Sequence, residues 1–559
     1  MNSKLSPIPP LVAAAAALAA AAQGTPGQPA PGTFQQVGNS LVSAQQAFVG
    51  SEDKVYVIDK TENNPAQVAG HPAWAAEYSA SSNQGRPMDI ITNSFCAGGG
   101  VLANGTWLNV GGNQGVWIGG CVNGGFVNGG DITNPTYEFF PPRGAPITSP
   151  MLVNSLPANL YPITFLLPSR RALVQANWNT IILDYNAGTE RNLPDVPDAV
   201  RTYPASAGIV MLPMTPANNW TATIMMCGGT NLKPEQWVTN WDIAQYKASQ
   251  SCVQISPDVD ATWKNVDNLP EPRVMGNLIM LPTGKVLTLN GAGTGVAGYG
   301  NDTWAIGQSY ADNPTLTPAI FDPSAPAGKQ WSRDGISAST IPRMYHSVAT
   351  LLADGSVWVS GSNPNDDYNT LPDLKYPTEY RVENFYPSYF SSRRPQPNGL
   401  PTQLGYGGAS FDVQLSADDM FHDVGNAKDA RVVVMRFGFS THAMNMGQRL
   451  VQLESTITVA ADGSATLHCS QLPPNPAVFP PGPAYVFVVV NEPVSPASGL
   501  PPASTAAQTL AKPDGGDKDN DSKSDRKNAA TQIGPFKLDA KGVGAALGLV
   551  GAVLAMVYA

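Results

Sequence analysis

The sequence predicts an all-β protein, a β-propeller followed by a β-sandwich, and three observations support this class. The chain has 559 residues with 54 glycines and 51 prolines but only 13% charged residues, which is typical of many turns and few long helices. Pairs of apolar runs joined by glycine turns recur between residues 95 and 390. No stretch of comparable length shows a helical period, so we expect strands to form the core.

The recurring unit is a hairpin, in which two apolar runs flank a tight turn and one or two glycines follow. It is clearest in GGGVLANGTWLNVGGN from Gly98, NLIMLPTGKVLTLNGAG from Asn277 and SVATLLADGSVWVSGSN from Ser347. Glycine supplies the positive φ that these turns require. Weaker copies read ITFLLPSRRALVQANWNTIILDYN and GIVMLPMTPANNWTATIMMCGGTN. Repeats at intervals of several tens of residues predict propeller blades, which we assign to residues 35–387.

The sequence changes character after the repeats. Residues 388–492 contain β-branched strands such as ARVVVMRFGFSTHAMN, QRLVQLESTITV and AYVFVVVNE, separated by loops. This length and alternation predict an immunoglobulin-like β-sandwich. Residues 493–541 are rich in proline, serine, alanine, aspartate and lysine, which predicts a disordered linker.

Both ends of the chain resemble processing signals. Residues 1–22 join Lys4 to an apolar run and small residues, which predicts a signal peptide, with a short buried helix as the alternative. Residues 542–559 are an uncharged tail behind a polar spacer and the small residues 528–530. This order predicts a glycolipid (GPI) anchor at the plasma membrane or cell wall, with a single membrane span as the alternative. Sequons suited to a secreted glycoprotein lie at Asn104, Asn219, Asn301 and Asn520.

The charge of the chain excludes one large class of partner. The net charge is -10 and the isoelectric point is about 5.0. Binding to nucleic acid depends on clusters of cationic side chains that displace phosphate counterions. We therefore expect no binding to nucleic acid. We expect contact with a membrane only through the lipid anchor.

Cysteine and histidine are scarce, so each position carries information. The five cysteines leave one unpaired in a secreted chain; they are Cys96, Cys121, Cys227, Cys252 and Cys469. One of the five histidines, His346, directly follows Tyr345 and precedes a repeated hairpin. His346 and His442 are candidate functional residues. We interpret the other three histidines, His71, His422 and His468, as structural.

Four segments together resemble one family. NSFCAGGG contains Cys96, NPTYEFFPPR contains Tyr137, PRMYHSVATLL contains Tyr345 and His346, and FSTHAMNMGQRLVQL contains His442. They resemble the glyoxal oxidase branch of the copper radical oxidases, the group that includes galactose oxidase. The resemblance covers about residues 35–492. It implies a kelch-type β-propeller followed by an immunoglobulin-like domain.

The resemblance also implies a metal centre. In the family, a cysteine and a tyrosine are joined by a thioether, and that tyrosine binds copper and stores a radical; the matching residues are Cys96 and Tyr137. The copper ligands would be Tyr137, Tyr345, His346 and His442, and Tyr345 would also accept the substrate proton. Imidazole and phenolate ligands suit copper(II). For Cys96 the alternative is a disulfide with Cys121, and for His442 a hydrogen-bonded residue in a sandwich loop.

Two further expectations follow from this assignment. If Cys96 is in the thioether, four cysteines remain. Cys227 and Cys252 flank one loop and can pair locally, and Cys121 and Cys469 are then left as a candidate link between the domains. The family also carries more sequence between Cys96 and Tyr137 than this chain does. We therefore expect a truncated propeller blade near residues 113–117.

The implied reaction is the oxidation of small aldehydes, of the glyoxal or methylglyoxal class, to carboxylic acids. Dioxygen would be reduced to hydrogen peroxide, which peroxidases could then use. We expect a monomer. The alternatives are a galactose oxidase-like oxidase of primary alcohols and an inactive propeller that binds surface glycans.

Overall fold

The chain folds almost entirely into β-strands. The computed structural model describes residues 29–111, 118–122, 125–237, 241–492, 494–495, 498–500 and 553–554. Within these residues there is one short α-helix, Pro150–Asn154. The other helical turns are of the 3₁₀ type: Pro216–Asn218, Pro234–Gln236, Ile243–Gln245, Ser388–Ser391 and Val424–Asp429. The predicted all-β class is confirmed.

Five antiparallel meanders of four strands each make up most of the N-terminal part. They are sheet 1 (Gln46–Val49, Lys54–Ile58, Ala75–Ser79, Gln84–Met88), sheet 2 (Ile163–Leu166, Ala172–Ala176, Asn179–Asp184, Thr189–Leu193), sheet 3 (Gly208–Met211, Ile224–Cys227, Cys252–Ser256, Asp260–Val266), sheet 4 (Asn277–Met280, Val286–Leu289, Ala319–Phe321, Trp331–Ser332) and sheet 5 (Ser347–Leu351, Val357–Gly361, Arg381–Tyr386, Thr33–Asn39). The first strand of sheets 1, 3, 4 and 5 is buried along its whole length. This explains why these strands are mostly apolar and do not alternate with polar residues, since both of their faces contact other residues.

Sheet 5 joins the two ends of this part of the chain. Its fourth strand, Thr33–Asn39, comes from the N-terminal side and pairs antiparallel with Arg381–Tyr386. The register aligns Thr33 with Tyr386 and Asn39 with Arg381. The hydrogen bonds of a sheet thus hold together segments about 340 residues apart in sequence.

The repeat is shorter between sheets 1 and 2. Here the hairpin Gly98–Val101 and Trp107–Val110 forms a sheet of only two strands. Thr136–Phe139 pairs with Ile147–Thr148 and, in parallel, with Val553–Leu554. The expected truncation near residues 113–117 lies outside the described residues. Two other two-stranded sheets are Gln67–Val68 with His71–Pro72, and Ala292–Tyr299 with Ser309–Pro314.

The C-terminal part contains two packed sheets. One has the order Phe411–Leu415, Ala465–Cys469, Ser455–Val459, and the other Arg449–Gln452, Arg431–Arg436, Ala484–Val489, Ser498–Leu500. Buried residues from both, including Val413, Leu467, Val432 and Val486, share one apolar cluster. That cluster also contains residues of sheets 2 and 3, so the two parts of the chain pack against each other.

One hairpin links the two parts by hydrogen bonds. Its strands are Phe439–Thr441 and Met444–Met446, and we call it the crossing hairpin. The first strand pairs antiparallel with sheet 1, aligning Ser440 with Ala47, and the second pairs in parallel with sheet 3, aligning Met444 with Ile209. A single sheet of ten strands results. The hairpin therefore lies between the innermost strands of sheets 1 and 3.

The cysteines follow one of the two expected pairings. Cys227 and Cys252 lie opposite each other on neighbouring strands of sheet 3 and form a disulfide, which confirms the local pair. The expected link between Cys121 and Cys469 is wrong, because both thiols are free. Cys469 is buried in a sandwich strand, while Cys121 packs near Tyr203 and Tyr345.

No helix in the described part of the chain is long and apolar enough to cross a membrane. The predicted signal peptide, residues 1–22, lies outside the described residues. So do most of the predicted linker, residues 493–541, and of the anchor tail, residues 542–559.

Candidate metal centre

Side chains from the starts of three inner hairpins meet near the crossing hairpin. Cys96 lies two residues before the strand that begins at Gly98, and Tyr345 lies two residues before the strand that begins at Ser347. Tyr161 has the same position before the strand that begins at Ile163. Each repeat thus delivers its side chain to the site from an equivalent place.

Tyr345 and His346 are adjacent in sequence, yet their rings lie side by side. Their centroids are 3.8 Å apart and the rings are stacked. His346 has a φ of 58°, in the left-handed region, so the chain is not a regular strand at this point. This agrees with the expectation that both side chains could reach one metal ion only if the strand were interrupted.

Cys96 lies beside this pair. Its Sγ is 3.6 Å from the hydroxyl of Tyr345 and 4.0 Å from Nε2 of His346. Burial raises the pKa of the Cys96 thiol, while hydrogen bonds with the hydroxyls of Tyr345 and Tyr161 lower it. The thiol is therefore in contact with two phenols, one of which is Tyr161.

Tyr137, the sequence-based candidate for the partner of Cys96, lies elsewhere and needs correction. It is in the strand Thr136–Phe139, paired with Ile147, and packs in an apolar cluster with Met151, Leu152 and Ile181. Among the described residues, its buried hydroxyl has no hydrogen-bond partner and makes no contact with Cys96. The strand runs beside sheet 2, so the side chain packs on that sheet and not at the meeting point of the hairpins.

Tyr161 occupies the position predicted for Tyr137. Its ring centroid lies 4.1 Å from that of His442 and 5.1 Å from that of Tyr203. Burial raises the pKa of Tyr161 well above its ordinary value, and the neighbouring Cys96 adds to this. Sequence reasoning missed Tyr161 although the repeat could have revealed it: in LYPITFLLPS this tyrosine has the same offset from the strand as Cys96 and Tyr345 have from theirs.

His442 reaches the site from the turn of the crossing hairpin. Its φ is 50°, and the Thr441 hydroxyl lies 2.9 Å from its Nδ1, which leaves Nε2 free of this contact. Burial lowers the pKa of His442 to about 4, and burial, then Lys60, lowers the pKa of His346 well below its ordinary value. Both imidazoles are neutral at physiological pH, the form in which histidine binds metals.

The lone pair of the His346 ring can be located from its neighbours. The side-chain nitrogen of Gln45 is 3.0 Å from Nε2 of His346 and 3.4 Å from Sγ of Cys96. An amide nitrogen can only donate, so Nε2 of neutral His346 accepts and carries the lone pair. Nδ1 of His346 is buried without a hydrogen-bond partner.

A cavity of about 20 Å³ lies between these groups, enough for one ion or water molecule. Its lining includes Gln45, Tyr203, Tyr345, His346 and His442. The described residues contain no group of three His, Cys, Asp or Glu side chains suited to a metal ion. The donors available here are imidazoles and phenols, a set that suits copper(II) better than zinc, so the residues fit the implied copper.

The other histidines are not part of the site. His71 lies 3.1 Å from Asp89, His422 is 3.0 Å from Asp418, and His468 is 2.7 Å from Asp412. All three pairs are partly or largely exposed. Their structural interpretation agrees with these positions.

Two adjoining family descriptions match the chain. "Glyoxal oxidase N-terminus" matches residues 123–389, which include Tyr161, Tyr345 and His346, and "Galactose oxidase-like, Early set domain" matches residues 394–499, which include His442. The chain belongs to the glyoxal oxidase branch of the copper radical oxidases. It is therefore an oxidoreductase of a family that uses copper.

Individual relatives agree with this family. An aldehyde oxidase GLOX of Vitis pseudoreticulata is 28% identical over 526 residues, which cover 82% of this chain and 95% of that protein. Aldehyde oxidase GLOX1 of Arabidopsis thaliana is 28% identical over 75% of this chain and 73% of its own length. A fungal alcohol oxidase of the AA5 family, solved in complex with copper, covers 85% of this chain and is itself fully covered, with a TM-score of 0.55 and 16% identity, so this likeness concerns the fold alone.

Proposed function

We propose that this glyoxal oxidase family member is an extracellular copper radical oxidase that converts small aldehydes, of the glyoxal or methylglyoxal class, to carboxylic acids and produces hydrogen peroxide. The observation that carries the proposal is a small cavity lined by two neutral imidazoles, His346 and His442, and by the phenol of Tyr345. The Cys96 thiol contacts Tyr345, and the ring of Tyr161 packs on His442, so five groups of the implied centre lie together. A binding module that had lost catalysis would have no need to retain all five. Small aldehyde and dioxygen are the substrates.

Four side chains would hold the copper: Tyr161, Tyr345, His346 and His442. Bound copper would supply a Lewis-acidic position for the substrate oxygen and one of the two electron-accepting groups of the site. The second electron acceptor is Tyr161, joined to Cys96 by a thioether. The hydrogen bond between Cys96 and Tyr161 supports this pair in place of Cys96 and Tyr137.

The residues then divide the chemistry between them. The substrate is the hydrated aldehyde, RCH(OH)₂, which presents a hydroxyl to the site. Burial raises the pKa of Tyr345 well above its ordinary value, so bound copper would be needed to hold this side chain as a phenolate. Tyr345 would then accept the hydroxyl proton at its oxygen, and oxidised Tyr161 would take a hydrogen atom from the carbon. Two electrons and two protons leave the substrate, giving RCOOH, and the same two electrons and protons reduce O₂ to H₂O₂.

We also propose a kelch-type propeller for residues 35–387, in which the five meanders serve as blades. The signal peptide and anchor tail support delivery to the cell surface as a GPI-anchored glycoprotein. A phosphatidylinositol-specific phospholipase should release active protein from intact cells. Retention in the membrane, with release of a control anchored protein in the same experiment, would indicate a membrane span.

Oxidase activity is tested on purified, copper-loaded protein in a peroxidase-coupled assay. We expect peroxide from glyoxal and methylglyoxal, with slower or no release from galactose and glycerol. Faster turnover of galactose or glycerol would identify an alcohol oxidase. No peroxide from any of the four, at one bound copper per chain, would show an inactive propeller.

A further inference from the structure

Lys60 is a buried lysine close to the metal centre. It lies two residues after the end of the second strand of sheet 1, and only 3% of its surface is exposed. Its Nζ donates hydrogen bonds to the backbone carbonyls of Asn365, at 2.7 Å, and Asp366, at 2.6 Å. Lysine is almost never fully buried unless it is paired, and here Glu62 lies 3.3 Å away. The ammonium group is therefore held by three partners.

Glu62 connects the same loop to Tyr345. The carboxylate of Glu62 accepts hydrogen bonds of 2.9 and 3.2 Å from the side chain of Asn363. The backbone nitrogen of Asn363 donates to the carbonyl of Tyr345 at 2.8 Å. Residues 363–366 thus lie between the Lys60–Glu62 pair and the backbone of the residue that precedes His346.

Lys60 also contacts the site through an aromatic ring. Its Nζ lies 5.1 Å from the centroid of Tyr299, a cation–π distance. The ring of Tyr299 also contacts Tyr345, with ring centroids 6.2 Å apart, and His346, with ring centroids 6.4 Å apart. One ammonium group therefore contacts both the loop and the ring that border Tyr345 and His346.

We propose that Lys60 is a positioning residue of the copper centre, which sets the orientation of Tyr345 and His346 by holding residues 363–366 and the ring of Tyr299 against them. His346 has a left-handed backbone that its surroundings must maintain. Outer partners that orient metal ligands typically change metal affinity 10–100-fold when they are removed. This inference rests on the proposed function, since it concerns the copper that the site would hold.

The test compares two variants. Lys60→Met with Glu62→Gln removes the ammonium group together with the carboxylate that pairs with it, and the buried Asp59 beside them keeps its hydrogen bonds to Ser43 and Asn64. Glu62→Gln alone keeps the ammonium and its two carbonyl partners. Copper affinity is measured by competition with a chelator, together with the phenolate-to-copper absorption band and the melting temperature of the metal-free protein. Lys54→Met is the control, because Lys54 is on the same sheet but pairs with Glu77 and is 35% exposed.

We expect the double variant to lose about 10–100-fold in copper affinity and to shift the absorption band. Glu62→Gln should lose less than about tenfold, and Lys54→Met should bind like the unchanged protein. Equal affinity and an equal spectrum in the double variant and in Glu62→Gln would overturn the proposal. If the double variant does not fold, Lys60→Arg replaces it: the bulkier group should displace Tyr299 and shift the band, and an unchanged band would overturn the proposal. A failure of the proposed function is distinct, since it would be seen in the unchanged protein, either as no bound copper or as bound copper without peroxide production.

Discussion

Three residues of the metal centre have backbone angles that side chains rarely adopt. Cys96, His346 and His442 have φ values of 58°, 58° and 50°. Such a conformation costs about 1–3 kcal/mol per residue and persists only where the surrounding structure enforces it. It turns the chain sharply, so that side chains neighbouring in sequence point to the same place, as the stacked rings of Tyr345 and His346 show. The left-handed backbone at these residues thus orients side chains from several short hairpins toward one site.

The assignment of the radical tyrosine predicts opposite behaviour for two tyrosines. Tyr161→Phe should abolish the thioether and nearly all peroxide production, because it removes the hydroxyl that contacts Cys96 while the ring still packs on His442. Tyr137→Phe should keep both. Because the hydroxyl of Tyr137 is buried without a partner, its removal should change stability by no more than about 1 kcal/mol, toward greater stability.

Peptide mass mapping reads the crosslink directly. A thioether removes two hydrogens and joins the peptides of Cys96 and Tyr161 in a form that reducing agents do not cleave. Recovery of Cys96 joined to the Tyr137 peptide would restore the original assignment. Recovery of Cys96 as a free thiol, in copper-loaded protein exposed to oxygen, would exclude a radical cofactor of this kind.

The histidines predict how copper retention depends on pH. Burial lowers the pKa of His442 to about 4, and that of His346 also lies well below its ordinary value. The imidazoles therefore stay neutral as the pH falls, and protons compete with copper for these two rings only near the lowered pKa values. Burial raises the pKa values of Tyr161 and Tyr345, so these phenols release protons when copper binds, and copper affinity should fall smoothly as the pH decreases. We expect copper affinity, measured by competition with a chelator, to show no additional step near pH 6.5 and a steeper loss only near pH 4. An additional step near 6.5, the value for exposed histidine, would contradict the burial of these rings.

Four of the five predicted site residues meet in the structure, and the fifth shows where sequence reasoning fails. Cys96, Tyr345, His346 and His442 lie in sequence motifs that resemble those of the family, and each motif identifies the functional residue within it. Tyr137 also lies in such a motif, but its side chain packs against sheet 2. Tyr161 precedes a weak copy of the repeat that lacks the glycine turn, since PSRRA stands where the other copies have ANGT, PTGK or ADGS. Its offset from the buried strand, and not the surrounding letters, identifies it.

At the scale of elements, the crossing hairpin decides whether the site is complete. It carries His442 away from its own domain to the inner strands of sheets 1 and 3. Buried polar groups hold its base: the amide of Asn445 donates to the carbonyls of Ala349, at 3.1 Å, and Phe437, at 3.2 Å, and the hydroxyl of Ser440 donates to Ala349 at 3.0 Å. These bonds link the hairpin to the first strand of sheet 5, which follows His346.

Asn445→Ala should therefore weaken copper binding without touching a ligand. Loss of the two buried hydrogen bonds should lower the free energy of unfolding by about 1–3 kcal/mol. We expect copper affinity to fall roughly tenfold or more, because His442 is then held less firmly. Asn426→Ala is the control, since Asn426 is similarly buried and donates to Met420 at 3.0 Å in the sandwich. A similar loss of affinity in both variants would show a general effect of stability.

Hairpins with apolar strands and glycine turns are the elements that the sequence predicts well. The inner strands at Asn277 and Ser347, which are buried along their whole length, and the half-buried strand at Gly98 were recognisable because this pattern repeats there. The outer strands are less regular: Thr189–Leu193 and Asp260–Val266 are largely exposed and have no apolar pattern. The pairing of Thr33–Asn39 with Arg381–Tyr386 leaves no local signal, because its partners are far apart in sequence.

At the scale of the whole molecule, contacts between the two parts were the least predictable feature. The sequence predicted that His442, in the second domain, binds the metal, and only the structure shows that it lies in the turn of a hairpin paired with sheets 1 and 3. The same limit explains the cysteines. Cys227 and Cys252 are close in sequence and pair across neighbouring strands, whereas the link between Cys121 and Cys469 required distant surfaces to meet, and they do not.

The five cysteines predict four classes of reactivity in one labelling experiment. In native protein, an alkylating reagent should modify Cys121, which is half-buried, and leave Cys469 unmodified, because Cys469 is 0% exposed and burial raises its pKa to about 12. Raising the pH to about 10 should not change this, since the thiolate of Cys469 forms only at higher pH.

Denaturation should expose Cys469, and denaturation with reduction should in addition expose Cys227 and Cys252. Cys96 should resist the reagent in every step once its thioether with Tyr161 has formed. Mass spectrometry of the labelled peptides distinguishes these classes. Protection of both Cys121 and Cys469 until reduction would restore the disulfide between the two parts of the chain. A reducible bond at Cys96 would instead show that the thiol beside Tyr345 and His346 has paired with another cysteine, and a site blocked in that way could not form the radical cofactor.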